Sequence, residues 1–229
     1  MKGVSMDEFR RNTELERSAY QDGELSLGRY NILIGLHLIY GIFLTALICY
    51  TMSGILVNYY GNHPFIFTIL FFVVSLGGSS LARRGSYPIA LLGYTITVLG
   101  FGSLLATVLP FYALPLIGAA AGMTLVVLLI MTLAALIMPK AFLSMGRTIF
   151  IALIGLIIAE LLAMLFHVYN YGLFGVLGLF LFSLYIGYDW ARGQRCPKTA
   201  SFAVYTALNL YVDVINIFVR ILSLMGRRR

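Results

Sequence analysis

Long apolar runs, broken by short polar clusters, set the pattern of the chain. A helix needs roughly 20 apolar residues to cross the hydrocarbon core of a bilayer. Seven stretches come near that length: 31–56, 64–82, 88–109, 112–138, 148–167, 171–188 and 200–225. The polar connections are short, so neighbouring segments are expected to pack antiparallel in one bundle spanning 31–226. A polar tail, 1–30, precedes it and a basic tail, 227–229, follows it. The expected fold class is all-α integral membrane, a seven-transmembrane-helix bundle.

Small residues punctuate the runs. The stretch "GAAAG" at 118–122 has the small-xxx-small spacing, and Gly172, Gly175 and Gly178 line the sixth segment. Such residues allow close helix approach. Glycine merely tolerated in a membrane helix explains them as well.

Composition agrees: 60% of the 229 residues are hydrophobic and 11% charged. The placement of charge says more than the net +7. Six acids lie before Leu25, and the rest of the chain holds only Glu160, Asp189 and Asp213. Basic residues cluster between apolar segments, a pattern of membrane topology and not of nucleic-acid binding. Lys2, Arg10, Arg11, Arg17, Arg29, Arg83, Arg84, Lys140, Arg147, Arg192, Arg195 and Lys198 fall in the tail and the even-numbered connections. The positive-inside rule then puts the N-terminus in the cytoplasm. Seven crossings place Arg227, Arg228 and Arg229 outside, against that rule. Either the last segment crosses regardless or it is re-entrant; its lack of a Gly or Pro break between Ala200 and Met225 favours crossing. Tyr59, Tyr60 and Trp190 suit interfacial belts. The polar first 30 residues do not read as a secretory signal, and two cysteines, Cys49 and Cys196, support neither a disulfide framework nor a zinc site. A bacterial inner membrane is expected, with the endoplasmic reticulum as the eukaryotic alternative.

Charged residues inside membrane segments are where chemistry is expected, since each costs about 2.5–3.5 kcal/mol at the bilayer centre. Glu160, Asp189, Asp213 and Arg220 are such residues. Asn209, Asp213, Asn216 and Arg220 are spaced four, three and four apart, so they share one helical face. Asn209 and Asn216 are expected to offer hydrogen bonds on either side of Asp213. At about 1.5 Å per residue, Glu160 and Asp213 lie at similar depth and Arg220 about 10 Å further out, balancing negative charge there or snorkelling. A simple hairpin puts Asp189 and Asp213 at different depths; they meet only if its centre falls near Ser201. Two carboxyls meeting in a low-dielectric site cannot both ionise cheaply and share a proton. Once deprotonated they form an oxygen-rich site for a hard cation such as Ca²⁺. The alternative is an interhelical bond that only fixes packing. His37, His63 and His167 are weaker signals, the last two near helix ends.

Three stretches carry a resemblance: "PKAFLSMGR" at 139–147, "LYIGYDWARGQ" at 184–194 and "ALNLYVDVINIFVRILSLMG" at 207–226. They resemble the Bax inhibitor-1 family, the transmembrane Bax-inhibitor-motif proteins. The resemblance implies a seven-helix bundle with the last helix central and a pH-sensitive Ca²⁺ leak through it. It implies that Asp189 and Asp213 act as the pH sensor and transient Ca²⁺ ligands. It also implies that an arginine after the second helix, Arg83 or Arg84, latches the pair when closed. Family members can carry a glutamate in the second helix, but "PFIFTILFFVVSLGGSSLA" has no acid. Either Glu160 supplies a carboxyl from another helix, or conduction is weak or absent. No cofactor is expected beyond Ca²⁺ as the permeating ion, and the implied partners are the lipid bilayer and a possible membrane protein.

Two other functions compete. An intramembrane aspartyl protease also places aspartates on consecutive helices, and Tyr188–Asp189 imitates one of its motifs. Its Gly-x-Gly-Asp motif is missing, because Asp213 follows "LYV". An interaction protein that modulates a membrane protease or a stress or cell-death pathway needs no transport. A retinal protein would need a lysine in the last helix, and a rhomboid protease would need Gly-x-Ser-Gly; neither is present. Coupled titration leaves open which protonation state conducts best.

Overall fold

The computed structural model describes residues 23–83 and 86–226. Among them every regular element is a helix: α1 (Leu27–Asn62), α2 (Pro64–Ala82), α3 (Tyr87–Val108, with a 3₁₀ turn Leu109–Phe111), α4 (Leu114–Ile137), α5 (Pro139–Ser144), α6 (Gly146–Leu165), α7 (Tyr171–Gly193) and α8 (Ala200–Met225). All but the short α5 are long and apolar enough to cross a membrane, which gives the seven spans expected from the apolar runs. Arg84 and the tails at 1–22 and 227–229 lie outside the described residues.

Local chemistry sets the helix ends. The Ser26 hydroxyl accepts a bond from the Arg29 N–H at 3.4 Å and caps α1. Pro64, Pro115 and Pro139 stand in the first turns of α2, α4 and α5, where a missing N–H costs nothing. Asn170 caps α7 by accepting from the Leu173 N–H at 3.0 Å. At the end of α6, His167 adopts a left-handed φ of 57°. The Val168 N–H then reaches Ala163 O at 2.9 Å, a Schellman-type closure that satisfies a terminal carbonyl.

The described residues fall into two compact units. The first comprises α1, α2, nearly all of α3, and residues 195–208. In it α2 and α3 touch backbone to backbone: a Cβ on Gly78 would stand 2.7 Å from Gly93 O. His37 is buried here, with Nδ1 2.7 Å from Leu33 O and Nε2 3.3 Å from the Tyr87 hydroxyl. His63 and His167 are exposed at helix ends.

Of the described residues, the second unit comprises 108–194 and 209–226. Within it α7 packs against α4, α5 and α6. Ile149, Leu156, Ala163, Phe174 and Leu181 form the α6–α7 core, and Ala135, Phe142 and Ala191 a second cluster. Glycines let neighbours close on α7: Gly187 lies under the Phe142 ring, and a Cβ on α6's Gly146 would stand 2.5 Å from the Tyr188 ring. The "GAAAG" stretch behaves differently. Nothing lies within 4 Å of where Gly118 or Gly122 would carry a Cβ, so these two glycines bring no helix close, whereas Gly175 and Gly178 do. Trp190 packs half-buried against the Ala135, Phe142 and Ala191 cluster.

The last helix is the most buried span. In its most apolar window 56% of residues are buried, against 11% for α6. It runs unbroken for 26 residues, about 39 Å at 1.5 Å per residue, so it has the length to cross and no re-entrant break.

Candidate functional site

The candidate site lies in the second unit, where α7 and α8 run antiparallel. Three contacts give the register: Asp189 meets Asp213, Gly178 meets Arg220, and Gly175 meets Leu224. Residue numbers fall on one helix as they rise on the other. The structure therefore brings the two aspartates together. Asp189 lies inside a helix that continues to Gly193, past the segment end expected at Tyr188. Thirteen residues of α8 precede Asp213, but only four of α7 follow Asp189. The connection at 194–199 takes up the difference, so the simple hairpin that separates the aspartates does not apply.

The two carboxyl groups lie within side-chain hydrogen-bonding reach of each other. An oxygen-to-oxygen bond between carboxyls requires a proton, since an ionised carboxylate can only accept. Asp213 is 4% exposed, and its Oδ2 is buried and accepts from no neighbouring N–H or hydroxyl. The Tyr185 hydroxyl, one turn before Asp189 on α7, is also buried without a hydrogen-bond partner. It lies within electrostatic reach of both carboxyls. Arg192, three residues after Asp189, acts on that aspartate with an attractive charge. Sequence reasoning assigned neither Tyr185 nor Arg192 to the site. The available signal was their four- and three-residue spacing from Asp189, which places them on its helical face.

Glu160 goes elsewhere. Its Oε1 pairs with Arg220 Nη1, and the same nitrogen donates to Phe174 O at 2.9 Å. Arg220 is seven residues from Asp213, two turns or about 10 Å along α8. The depth reading that levelled Glu160 with Asp213 is thus corrected: Glu160 is level with Arg220. Arg220 is held by an ion pair and a carbonyl and does not extend freely toward an interface. Asn216 is corrected too. Its amide donates to Val212 O at 2.8 Å, one turn back on its own helix, and not to Asp213. Asn209 is half-buried. In the first unit, the Arg83 guanidinium lies 5.8 Å from the Tyr205 ring centroid, a cation–π distance.

The described residues bring together no three of His, Cys, Asp and Glu that could hold a metal ion. The aspartate pair by itself offers two carboxyl groups, too few for a tight Ca²⁺ cage of six to eight oxygens but suited to a cation that passes with part of its water shell.

Seven apolar spans with ionisable groups turned inward define a multi-pass integral membrane protein. The family model described as "Inhibitor of apoptosis-promoting Bax1" matches residues 35–229, and the chain belongs to the Bax inhibitor-1 family. It is 31% identical over 163 residues to an uncharacterized protein of Helicobacter pylori strain ATCC 700392 / 26695. It is 29% identical over the same length to another from strain J99 / ATCC 700824. Each match covers 69% of this chain and 60% of the relative, so the chain spans about three-fifths of the length of these curated relatives.

Proposed function

We infer that the protein is a pH-sensitive cation leak, with Ca²⁺ as cargo and the Asp189–Asp213 pair as the proton-controlled element. The supporting observation is the approach of the two carboxyls to within hydrogen-bonding reach between α7 and α8, with Asp213 buried. While the shared proton stays, the pair carries at most one negative charge and its bond ties the two helices. Loss of that proton puts two charges side by side; at 4 Å and an effective dielectric near 20, two unit charges repel by about 4 kcal/mol. A divalent cation relieves that repulsion. The sign follows: cation attraction grows from acid to alkaline pH as the pair loses protons, and flux rises with it. Among the described residues, Arg192 acts on Asp189 and the Tyr185 hydroxyl, beside Tyr188, lies within electrostatic reach of both carboxyls. The Lys and Arg layout supports a cytoplasmic N-terminus, in a bacterial inner membrane. This is transport and not enzymology.

The test is uptake of radiolabelled Ca²⁺ by proteoliposomes across pH, comparing the wild type with Asp189→Asn and Asp213→Asn. The reading expects uptake that rises with pH and loses its pH dependence in both variants. No uptake at any pH would reject it. The family's description as an inhibitor of apoptosis-promoting Bax1 favours a second reading, a regulator that binds a cell-death partner; in that reading the protein needs no transport. A partner co-purifying in stoichiometric amount, with empty proteoliposomes and the protein equally tight to Ca²⁺, would select it.

A further inference from the structure

The Glu160–Arg220 pair takes no part in the proton chemistry above, yet it occupies a built seat. The Arg220 guanidinium lies over α7 where Gly178 carries no side chain; a Cβ there would stand 2.5 Å from Cζ and Nε. Its Nη1 donates both to Glu160 Oε1 of α6 and to Phe174 O of α7. Tyr169, in the α6–α7 connection, is within electrostatic reach of both charges and stacks on Phe174 with ring centroids 4.9 Å apart. The position is defined by three helices and one glycine.

Its place along the helices matters more. Asp213, Asn216 and Arg220 follow one another at spacings of three and four, on one face of α8. Glu160 is five residues from the end of α6 and Arg220 five from the end of α8, about 8 Å in each case. Their side chains remain 19% and 18% accessible, unlike the sealed Asp213. The charged pair thus keeps accessible atoms near the ends of its spans. A cation moving between the aspartate pair and that end passes a guanidinium, which repels it unless the charge is cancelled.

We propose that Arg220 sets the charge selectivity of this end of the path and that Glu160 tunes it by cancelling the guanidinium. This rests on the cation-leak reading and adds to it a second determinant, fixed in charge instead of proton-controlled. The pair predicts effects of opposite sign. In Glu160→Gln the unpaired guanidinium faces a divalent ion, and Ca²⁺ uptake falls about tenfold. In Arg220→Gln the carboxylate is left to attract cations, and uptake rises by a comparable factor. In the double variant neither charge remains, and uptake returns to within about threefold of wild type. Helix fixing alone predicts something else: both single variants move uptake in the same direction.

The experiment is Ca²⁺ uptake by proteoliposomes of wild type, Glu160→Gln, Arg220→Gln and the double variant at one pH. Should a single variant fail to fold, the charge-free pair Glu160→Gln with Arg220→Cys, made with Cys49 and Cys196 replaced by Ser, carries the test. A cationic thiol reagent at position 220 then lowers uptake and an anionic one raises it. Opposite signs support the proposal. Changes of the same sign, or none, in a protein whose wild type passes Ca²⁺ overturn it and leave the leak reading standing. A wild type that passes no Ca²⁺ overturns both.

Discussion

Two acidic sites face α8 two turns apart along it, one reached from α6 and the other from α7, and their chemistry is opposite. At Glu160 the carboxylate meets a guanidinium and a backbone carbonyl shares the same donor; charge is cancelled where it stands. At Asp213 a buried carboxyl meets a carboxyl; charge there is held off only by a proton. The first arrangement is stable without any help from pH. The second changes state with each proton lost. Ionisable groups are costly inside a membrane span, and a fold that needed only a fastening could use the first kind twice. The difference assigns fastening and fixed charge to one site and response to the other.

The largest stability effect should fall on the compensated site. Arg220→Ala leaves Glu160 without its counter-charge. Breaking a buried ion pair by removing one partner costs about 3–5 kcal/mol, and the partial exposure here lowers this to about 2–3 kcal/mol. Thermal unfolding in detergent reads it, and a shift no larger than that of Asp213→Asn would break the contrast. At the responsive site, Asp213→Asn keeps a hydrogen-bonding partner for Asp189, so its stability cost stays near 1 kcal/mol, while the pH dependence of Ca²⁺ uptake disappears. Tyr185→Phe removes a hydroxyl that has no hydrogen-bond partner. Stability changes by less than about 0.5 kcal/mol, and only the pH midpoint of uptake moves. Opposite in sign, Gly122→Ala adds a methyl into open space and should be neutral, or stabilising by up to about 1 kcal/mol through helix propensity. The same substitution at Gly178 presses on the guanidinium and should be unfavourable. Equal effects at the two glycines would show that the seat under Arg220 is not tight.

The spans were readable in the sequence because apolar length is a strong signal: 64–82 and 200–225 coincide with α2 and α8 at both ends. The aspartates were readable as costly residues in apolar runs. Their meeting was not, and neither was the partner of Glu160, for one shared reason. Depth counted from helix starts assumes that the helices begin level. Arg220 is 20 residues into α8 and Glu160 14 into α6, yet the two side chains meet. On α7 and α8 the aspartates lie four residues from one end and 13 from the other. The start of α8 is offset from its neighbours, and periodicity within one helix carries no information on its register against another. Asn216 was misread for a different reason: an amide in an apolar helix has its own carbonyl one turn back as a ready acceptor.

The central claim is that one proton, shared by Asp189 and Asp213, controls the passage of a cation. It is tested most directly by following the infrared carbonyl band of the protonated carboxyl pair and Ca²⁺ uptake in the same proteoliposomes as pH is raised. The account predicts that the band is lost and uptake rises over the same pH interval, and that Asp213→Asn removes the coincidence. A band that titrates away while uptake stays unchanged would contradict it.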